Sequence, residues 1–368
     1  MKDSRGHIFY FDWLRILAAF FVVFMHVASV PLAGNINADW HLTNILTSLA
    51  FTAVPLFFMM SGYLLLSSEK TEDISVLFKK RLPRLVAPLL FWTVFSVFYK
   101  LYLDGTITAA NVWQGLFSSL SSPAWVHLWY MYTLIALYVL SPFLRASLSN
   151  LSRGGHVLAI SIIGLITLRA ILSALLPQRF SSLINIDIIN KLEFFGGHFA
   201  TFVLGYYLGS IRKRFPNILL AAGAAAVLAV IIFGTYFISS ANGKYLQNFQ
   251  RQSAGFEVIL ASLIFLLFKQ NTKRKVASPA VSSLVSLTLP IYLIHNFPLY
   301  YINKIGMGAV TFAETFRLSV ILFAACAFIS MVLSSVPLIS FAATGLSFRE
   351  ASGSCNLIFI FKRIFKKE

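Results

Sequence analysis

Ten long apolar stretches limit the folds open to this chain more than any other feature. They lie near residues 9–31, 45–67, 85–103, 127–144, 157–176, 194–210, 218–240, 254–269, 281–303 and 317–341. Each stretch is apolar enough to enter a bilayer as a helix, and a helix satisfies the backbone hydrogen bonds that lipid cannot satisfy. The sequence therefore predicts an all-α integral membrane protein with about ten transmembrane helices.

Composition excludes the main soluble alternatives. A mean hydropathy of +0.78 over 368 residues leaves more apolar surface than a soluble domain could bury. The net charge of +17 would favour nucleic acid only if a long polar segment carried the basic residues, and the sequence has no such segment. Cys326 and Cys355 form no ligand spacing. We therefore expect no nucleic-acid partner and no metal.

The positions of lysine and arginine predict the orientation. Alternate loops are rich in basic residues, among them Lys79–Arg81, Arg212–Arg214 and Lys273–Lys275, whereas the loops between them are sparse. By the positive-inside rule both termini are cytoplasmic. The first stretch is too long for a signal peptide and is expected to be retained. The predicted organisation is one polytopic domain, residues 1–345, followed by a basic cytoplasmic tail, residues 346–368.

The first span, "FDWLRILAAFFVVFMHV" from residue 11 to 27, contains Asp12, Arg15 and His26. An interval of eleven residues is three helical turns plus roughly 20°, so Arg15 and His26 share a face and lie roughly 16 Å apart along the axis. Ionisable groups are costly in a membrane and indicate function. The alternative is a neutralised Asp12–Arg15 pair near the interface and a packing role for His26.

A second basic motif opens the third span, in "FKKRLPRLVAPLLFW" from residue 78 to 92. Arg81 and Arg84 flank Pro83, which suits the first turn of a helix. The unpaired amides of that turn, together with two guanidinium groups, predict a cytoplasmic anion site suited to phosphate. The alternative is that these residues only signal topology.

An ordered set of motifs gives the chain a family resemblance along nearly its whole length. The set comprises the R-x10-H pair, "FFMMSGYLLL" (57–66), "RLPR" (81–84), "HLWYMYTLIALYVLSPFL" (127–144), "FVLGYYLG" (202–209) and "IYLIHNFPL" (291–299). Together they resemble the bacterial membrane acyltransferase family 3. One departure is that "YMYTLIALY" lacks the acidic residue that some branches carry in the fourth span.

The resemblance implies a multi-pass enzyme of the bacterial inner membrane. It would pass an acyl group, usually acetyl, from cytoplasmic acyl-CoA to a hydroxyl of a cell-surface or lipid-linked glycan. His26 looks like the catalytic histidine, and Arg15, Arg81 and Arg84 look like the arginines that bind acyl-CoA. Acetyl-CoA is expected as the donor substrate, with no tightly bound cofactor; the other expected partners are the glycan acceptor and membrane lipid.

The chemistry of acyl-CoA agrees with these assignments. Its nucleotide end is anionic and its thioester lies at the tip of a flexible arm, so a deep site needs cations at its mouth and a proton acceptor inside. A neutral buried imidazole can accept the proton of the attacking hydroxyl. An acyl-histidine intermediate remains equally open.

Other polar residues are candidates for contacting or supporting the acceptor: His127, His295 and Ser61, together with Asp12. His295 lies between Pro290 and Pro298, where a kinked helix would expose it to a cavity. The alternatives are an interfacial aromatic belt around His127, packing by His295, and a close-packed or kinked helix end at Ser61–Tyr63.

Three competing functions fit the sequence less well. A transporter or flippase of glycan intermediates is disfavoured because the two halves show no related segments. A membrane-bound O-acyltransferase of the other large superfamily would need an upstream polar partner for His295. The spacing His7-x4-Asp12 matches that of glycerolipid acyltransferases, but nothing like the rest of that fold follows.

Overall fold

A computed structural model describes residues 8–176, 187–251, 255–272 and 278–359, with the backbone alone for 187–196. His7, Arg179, Lys273–Lys275 and the end of the predicted tail, residues 360–368, lie outside the described residues. The orientation prediction therefore rests partly on residues that the structure does not describe.

The described chain is built from helices. In chain order they are α1 (Phe9–Val27), α2 (Ser29–Ala33), α3 (Ala38–Ala50), α4 (Ala53–Leu66), α5 (Ile74–Val76), α6 (Pro83–Leu103), α7 (Ala109–Ser118), α8 (Trp129–Ser149), α9 (Arg153–Leu175), α10 (Asp187–Ser210), α11 (Asn217–Asn242), α12 (Gly255–Asn271), α13 (Pro279–Ile294), α14 (Asn296–Lys304), α15 (Phe312–Ser334), α16 (Pro337–Thr344) and α17 (Phe348–Ser354).

Within the described residues, seven segments are long and apolar enough to cross a membrane. They are Phe9–Val27, Ala38–Leu66, Ile74–Leu103, Val126–Ser149, Arg153–Leu175, Asn217–Asn242 and Phe312–Ser334. The bent pair α13–α14 makes an eighth if it is one span. The predicted all-α, multi-pass class is confirmed in this form. The stretches at 194–210 and 254–269 fall in α10 and α12, which do not meet the same requirement, so the count of ten stays a prediction.

The chain divides into two compact units, each assembled from segments that are distant in sequence. Unit one comprises Met1–Glu72, Ser141–Ala277 and Leu299–Leu322. Unit two comprises Asp73–Leu140, Ser278–Pro298 and Phe323–Glu368.

In unit one, α1 packs against α3, α4 and α12. Aromatic rings fix the first turns of α1: the Phe11 ring lies 5.8 Å from that of Tyr63 on α4, and the Tyr10 ring lies 5.7 Å from that of Phe265 on α12, both edge to face. This geometry is favourable for aromatic pairs. The start of α1, where Arg15 lies, is therefore held between two neighbouring helices.

Two glycines let α4 and α10 cross with their backbones in contact. A Cβ atom at Gly62 would overlap the carbonyl oxygen of Phe202, and one at Gly205 would overlap that of Met59. Small residues permit such close approach between membrane helices. The motifs "FFMMSGYLLL" and "FVLGYYLG" thus meet face to face, and the predicted close packing at Ser61–Tyr63 is confirmed.

In unit two, the segment α16–α17 packs along the first half of α6. The indole Nε1 of Trp92 donates to the carbonyl oxygen of Ala343 at 2.8 Å. Gly345, with φ +72°, ends α16 beside the backbone carbonyl of Arg84, where a side chain would collide. Glycine is therefore required both by its left-handed conformation and by the close approach.

An open groove of about 610 Å³ also lies in unit two, along α6. Its lining is apolar and consists of Ala87, Leu90, Phe91, Val94, Phe95, Phe98 and Ala342. It offers no group for binding a phosphate or a sugar, so the groove is not a candidate for the chemistry below.

Candidate active site

The first candidate group is a stripe of residues on α1 in unit one. The helix is unbroken from Phe9 to Val27, so the predicted shared face of Arg15 and His26 holds. Between them on that face lie Ala19 and Val22, which are 0% and 2% exposed. Trp13, on the opposite face, is 52% exposed. The Arg15–His26 face is therefore directed into the protein.

Both ends of this stripe lie in constrained surroundings. Asp12, one turn before Arg15, is only 3% exposed. Arg15 and His26 are both partly buried. The carbonyl oxygen of His26 accepts a hydrogen bond from Ser29 Oγ at 2.7 Å, and α1 ends one residue later. The imidazole thus lies in the last turn of α1.

The second candidate group surrounds Arg81 and Arg84 in unit two, and one expectation about it is wrong. Although α6 begins at Pro83, this is not a free helix end, because α5 continues through a π-helical turn, Leu77–Arg81, into α6. The amide of Leu82 donates to Leu77 O at 2.9 Å, and those of Leu85 and Val86 donate to Leu82 O at 2.9 Å. These amides are already bonded, so an anion site here must rest on side chains.

Arg84 forms an ion pair that the sequence did not predict. Its guanidinium contacts the carboxylate of Glu350 on α17, and the two side chains are 48% and 42% exposed. Partial burial raises the pKa of Glu350, but hydrogen bonds from Ser347 and Arg84 outweigh it and hold the pKa below its ordinary value. The S-x-x-E sequence at 347–350 indicates a helix start, yet nothing local indicates the arginine partner.

A third group joins two histidines that the sequence treated separately. The rings of His127 and His295 lie 5.2 Å apart in unit two, and the residues are 2% and 0% exposed. His127 Nε2 lies 3.1 Å from Leu293 O, and His295 Nδ1 lies 2.7 Å from Tyr292 O. A carbonyl only accepts, so each of these nitrogens carries the hydrogen. In the neutral rings His127 Nδ1 and His295 Nε2 are then acceptors.

The helix is interrupted at His295, as predicted from the flanking prolines. Helices α13 and α14 flank this residue and are bent by 43°. Pro290 lies inside α13 and Pro298 near the start of α14. Proline removes a backbone donor and disfavours a straight helix.

The remaining candidates lie in unit one. Ser61 is partly buried beside the close contact at Gly62. Glu257, in the first turn of α12, is 0% exposed, and neither carboxylate oxygen accepts a hydrogen bond from a residue that the structure describes. Glu257 is not among the residues predicted from the sequence, although a carboxylate within a predicted span was a sufficient signal. No three His, Cys, Asp or Glu side chains in the described part of the chain are grouped to hold a metal ion.

Comparison with known proteins adds one finding. A family model described as an acyltransferase domain, that of acyltransferase family 3, matches residues 8–340. Neither the curated proteins nor the solved structures gave a match.

Proposed function

Since this chain belongs to acyltransferase family 3, we propose that it is an acyl-CoA-dependent O-acetyltransferase of the bacterial inner membrane. It takes an acetyl group from cytoplasmic acetyl-CoA and passes it across the membrane to a hydroxyl of a cell-surface or lipid-linked glycan. Family membership supports acyl transfer in general. The donor, the acceptor and the location are proposed from what the family resemblance implies, and the site residues and the predicted topology are consistent with them.

The observation that carries this function is the interior stripe on α1. A cation and an imidazole on one buried face, roughly 16 Å apart, suit a substrate with its charge at one end and its reactive group at the other. Ala19 and Val22, which lie between them on this face, are 0% and 2% exposed, so the stripe belongs to the interior of unit one.

In the proposed reaction His26 acts as the general base. Its imidazole accepts the proton of the acceptor hydroxyl while that oxygen attacks the thioester carbonyl carbon. The new C–O bond forms, the C–S bond breaks, and the leaving thiolate takes the proton from the imidazolium to give free CoA. An acyl-histidine route forms the same products in two steps.

The arginines supply the donor contacts. We assign Arg15 to the charged part of the donor, at the end of the stripe remote from His26, and Arg81 and Arg84 to phosphate groups of the nucleotide, which they would bind through charge-assisted hydrogen bonds. Because the nearby amides Leu85 and Val86 are bonded to Leu82 O, the guanidinium groups carry this binding without help from a free helix end.

The acceptor contacts are assigned to His127 and His295. A saccharide presents many hydroxyl donors, and neutral imidazoles with their N–H groups on backbone carbonyls can accept from such donors. Asp12 and Ser61 are assigned supporting roles beside Arg15 and the α4–α10 crossing.

The function is tested with labelled acetyl-CoA added to inverted membrane vesicles. We expect labelled acetyl ester on envelope glycan only when the protein is present, and mass spectrometry of glycans from cells with and without the gene would identify the acceptor. A transporter or flippase would change the location of a glycan without adding an acetyl group. Unaltered acetylation in cells that lack the gene would contradict the proposal.

A further inference from the structure

Glu350 lies where it can control donor binding. We propose that its carboxylate competes with a phosphate of acyl-CoA for Arg84 and thereby sets the affinity and selectivity of the donor site. The inference rests on the proposed role of Arg84 in binding the donor.

A capping box fixes the position of the carboxylate. Its Oε2 accepts from the Ser347 amide at 3.1 Å and from Ser347 Oγ at 2.9 Å, and Ser347 Oγ accepts from the Glu350 amide at 3.3 Å. The other oxygen, Oε1, contacts Arg84 Nη2. One half of the carboxylate therefore holds the start of α17, and the other half is directed at the arginine.

The segment that carries Glu350 is anchored independently of this ion pair. Trp92 donates to Ala343 O at 2.8 Å, Ser283 Oγ donates to Ser354 O at 2.5 Å, and the Leu357 amide donates to Ser335 Oγ at 3.1 Å. Loss of the ion pair alone should therefore leave α17 in place. Glutamine also serves in a capping box at this position, so Glu350→Gln removes the charge and keeps the cap.

Competition follows from charge and geometry. A phosphate and the Glu350 carboxylate need the same guanidinium N–H groups, and a carboxylate next to an incoming phosphate repels it. An ion pair this exposed is weak, so a polyanion can displace it at small cost. A small anion with a single weak charge gains less from contacting Arg84 than is lost when the Arg84–Glu350 ion pair breaks. Glu350 thus favours CoA over small anions and speeds the release of the CoA product.

The test measures CoA binding by calorimetry with the purified full-length protein in phosphatidylcholine nanodiscs. The variants are Glu350→Gln, Arg84→Ala and the double variant. Glu72→Gln is the control, because Glu72 is 46% exposed and its carboxylate lies 3.4 Å from Arg145, which is 17% exposed, in an arginine–glutamate pair that does not involve Arg84. Acetyl transfer is followed in the same samples.

We expect Glu350→Gln to bind CoA about 1.5- to 5-fold more tightly at low salt, the range of an exposed ion pair. The gain should shrink at high salt because the charges are screened. It should vanish in the Arg84→Ala background, and Glu72→Gln should match the wild type. Free CoA should inhibit Glu350→Gln more strongly than the wild type.

Two results would overturn the inference while leaving the donor site intact. In the first, the wild type binds CoA and Glu350→Gln binds it equally well or more weakly. Glu350 would then orient Arg84 for binding and would not compete for it. The other is an equal gain with and without Arg84, which would indicate a general charge effect. If the wild type neither binds CoA nor transfers acetyl, the proposed function fails and the inference fails with it.

Discussion

The crossing of α4 and α10 gives a prediction whose size can be worked from the structure. In Gly205→Ala the new Cβ would overlap backbone atoms of Met59, namely its Cα, carbonyl carbon and carbonyl oxygen. Backbone cannot rotate away as a side chain can, so the two helices must separate. Overpacking typically costs about 1–3 kcal/mol, and a collision with backbone belongs at the upper end of that range.

The consequence should reach Arg15 on α1. Helix α4 carries Tyr63, whose ring packs on Phe11 one turn before Arg15. A shift of α4 therefore disturbs the packing surface that contacts the first turns of α1. Gly205→Ala should lower both thermal stability and acetyl transfer, although residue 205 has no role in the chemistry.

Gly164 on α9 provides the matched control. It is exposed, and a Cβ there meets nothing within 4 Å. Gly164→Ala gains helix propensity, up to about 1 kcal/mol, and should be neutral or stabilising. The assay is thermal unfolding of the purified protein followed by fluorescence-detected size-exclusion chromatography. A Gly205→Ala protein as stable as Gly164→Ala would refute the backbone contact.

Three further predictions concern charge and topology. Arg84→Ala should weaken donor binding by roughly 1.5–3 kcal/mol with near-normal expression, and unchanged affinity for the donor in Arg81→Ala/Arg84→Ala would return both residues to a topology role. After replacement of the buried Cys326 and Cys355, a cysteine at residue 72 should resist an impermeant reagent applied to intact cells while one in loop 104–126 reacts; the reverse pattern would overturn the orientation. The lowered pKa of Glu350 stabilises the docked α17 above its ordinary pKa of 4.5, so the protection factors of amides in 346–358, corrected for intrinsic exchange at each pH, should decrease as pH falls below that value in the wild type but not in Glu350→Gln.

Periodicity was sufficient to predict the geometry of α1. The helix is long, apolar and free of proline, so ideal rotation places Arg15 and His26 on one face without tertiary information. The same reasoning predicted the break at His295, because flanking prolines act locally.

The start of the third span could not be predicted in this way. Pro83 matches the first turn of a helix, but it also fits just after a π turn, in which Leu82 bonds to Leu77. Sequence alone does not distinguish a helix start from such an irregularity, so the amides that seemed available for phosphate were assigned wrongly.

Contacts between distant segments were also beyond local reasoning. The ring pair His127–His295 joins residues 168 positions apart (295 minus 127), and the pair Arg84–Glu350 joins residues 266 positions apart. Each member was visible as a polar residue, but its partner depends on how helices pack. Glu257 differs, because a buried carboxylate within an apolar stretch was recognisable from the sequence.

The most direct test of the account is acetyl transfer from labelled acetyl-CoA by His26→Ala, measured with donor binding in the same membranes. His41→Ala is the control, since His41 is an exposed histidine of the same unit. We predict that His26→Ala binds the donor normally and loses transfer by roughly 10²–10⁴-fold, the contribution of a general base, while His41→Ala keeps its activity. Transfer by His26→Ala at a near wild-type rate would contradict the catalytic assignment.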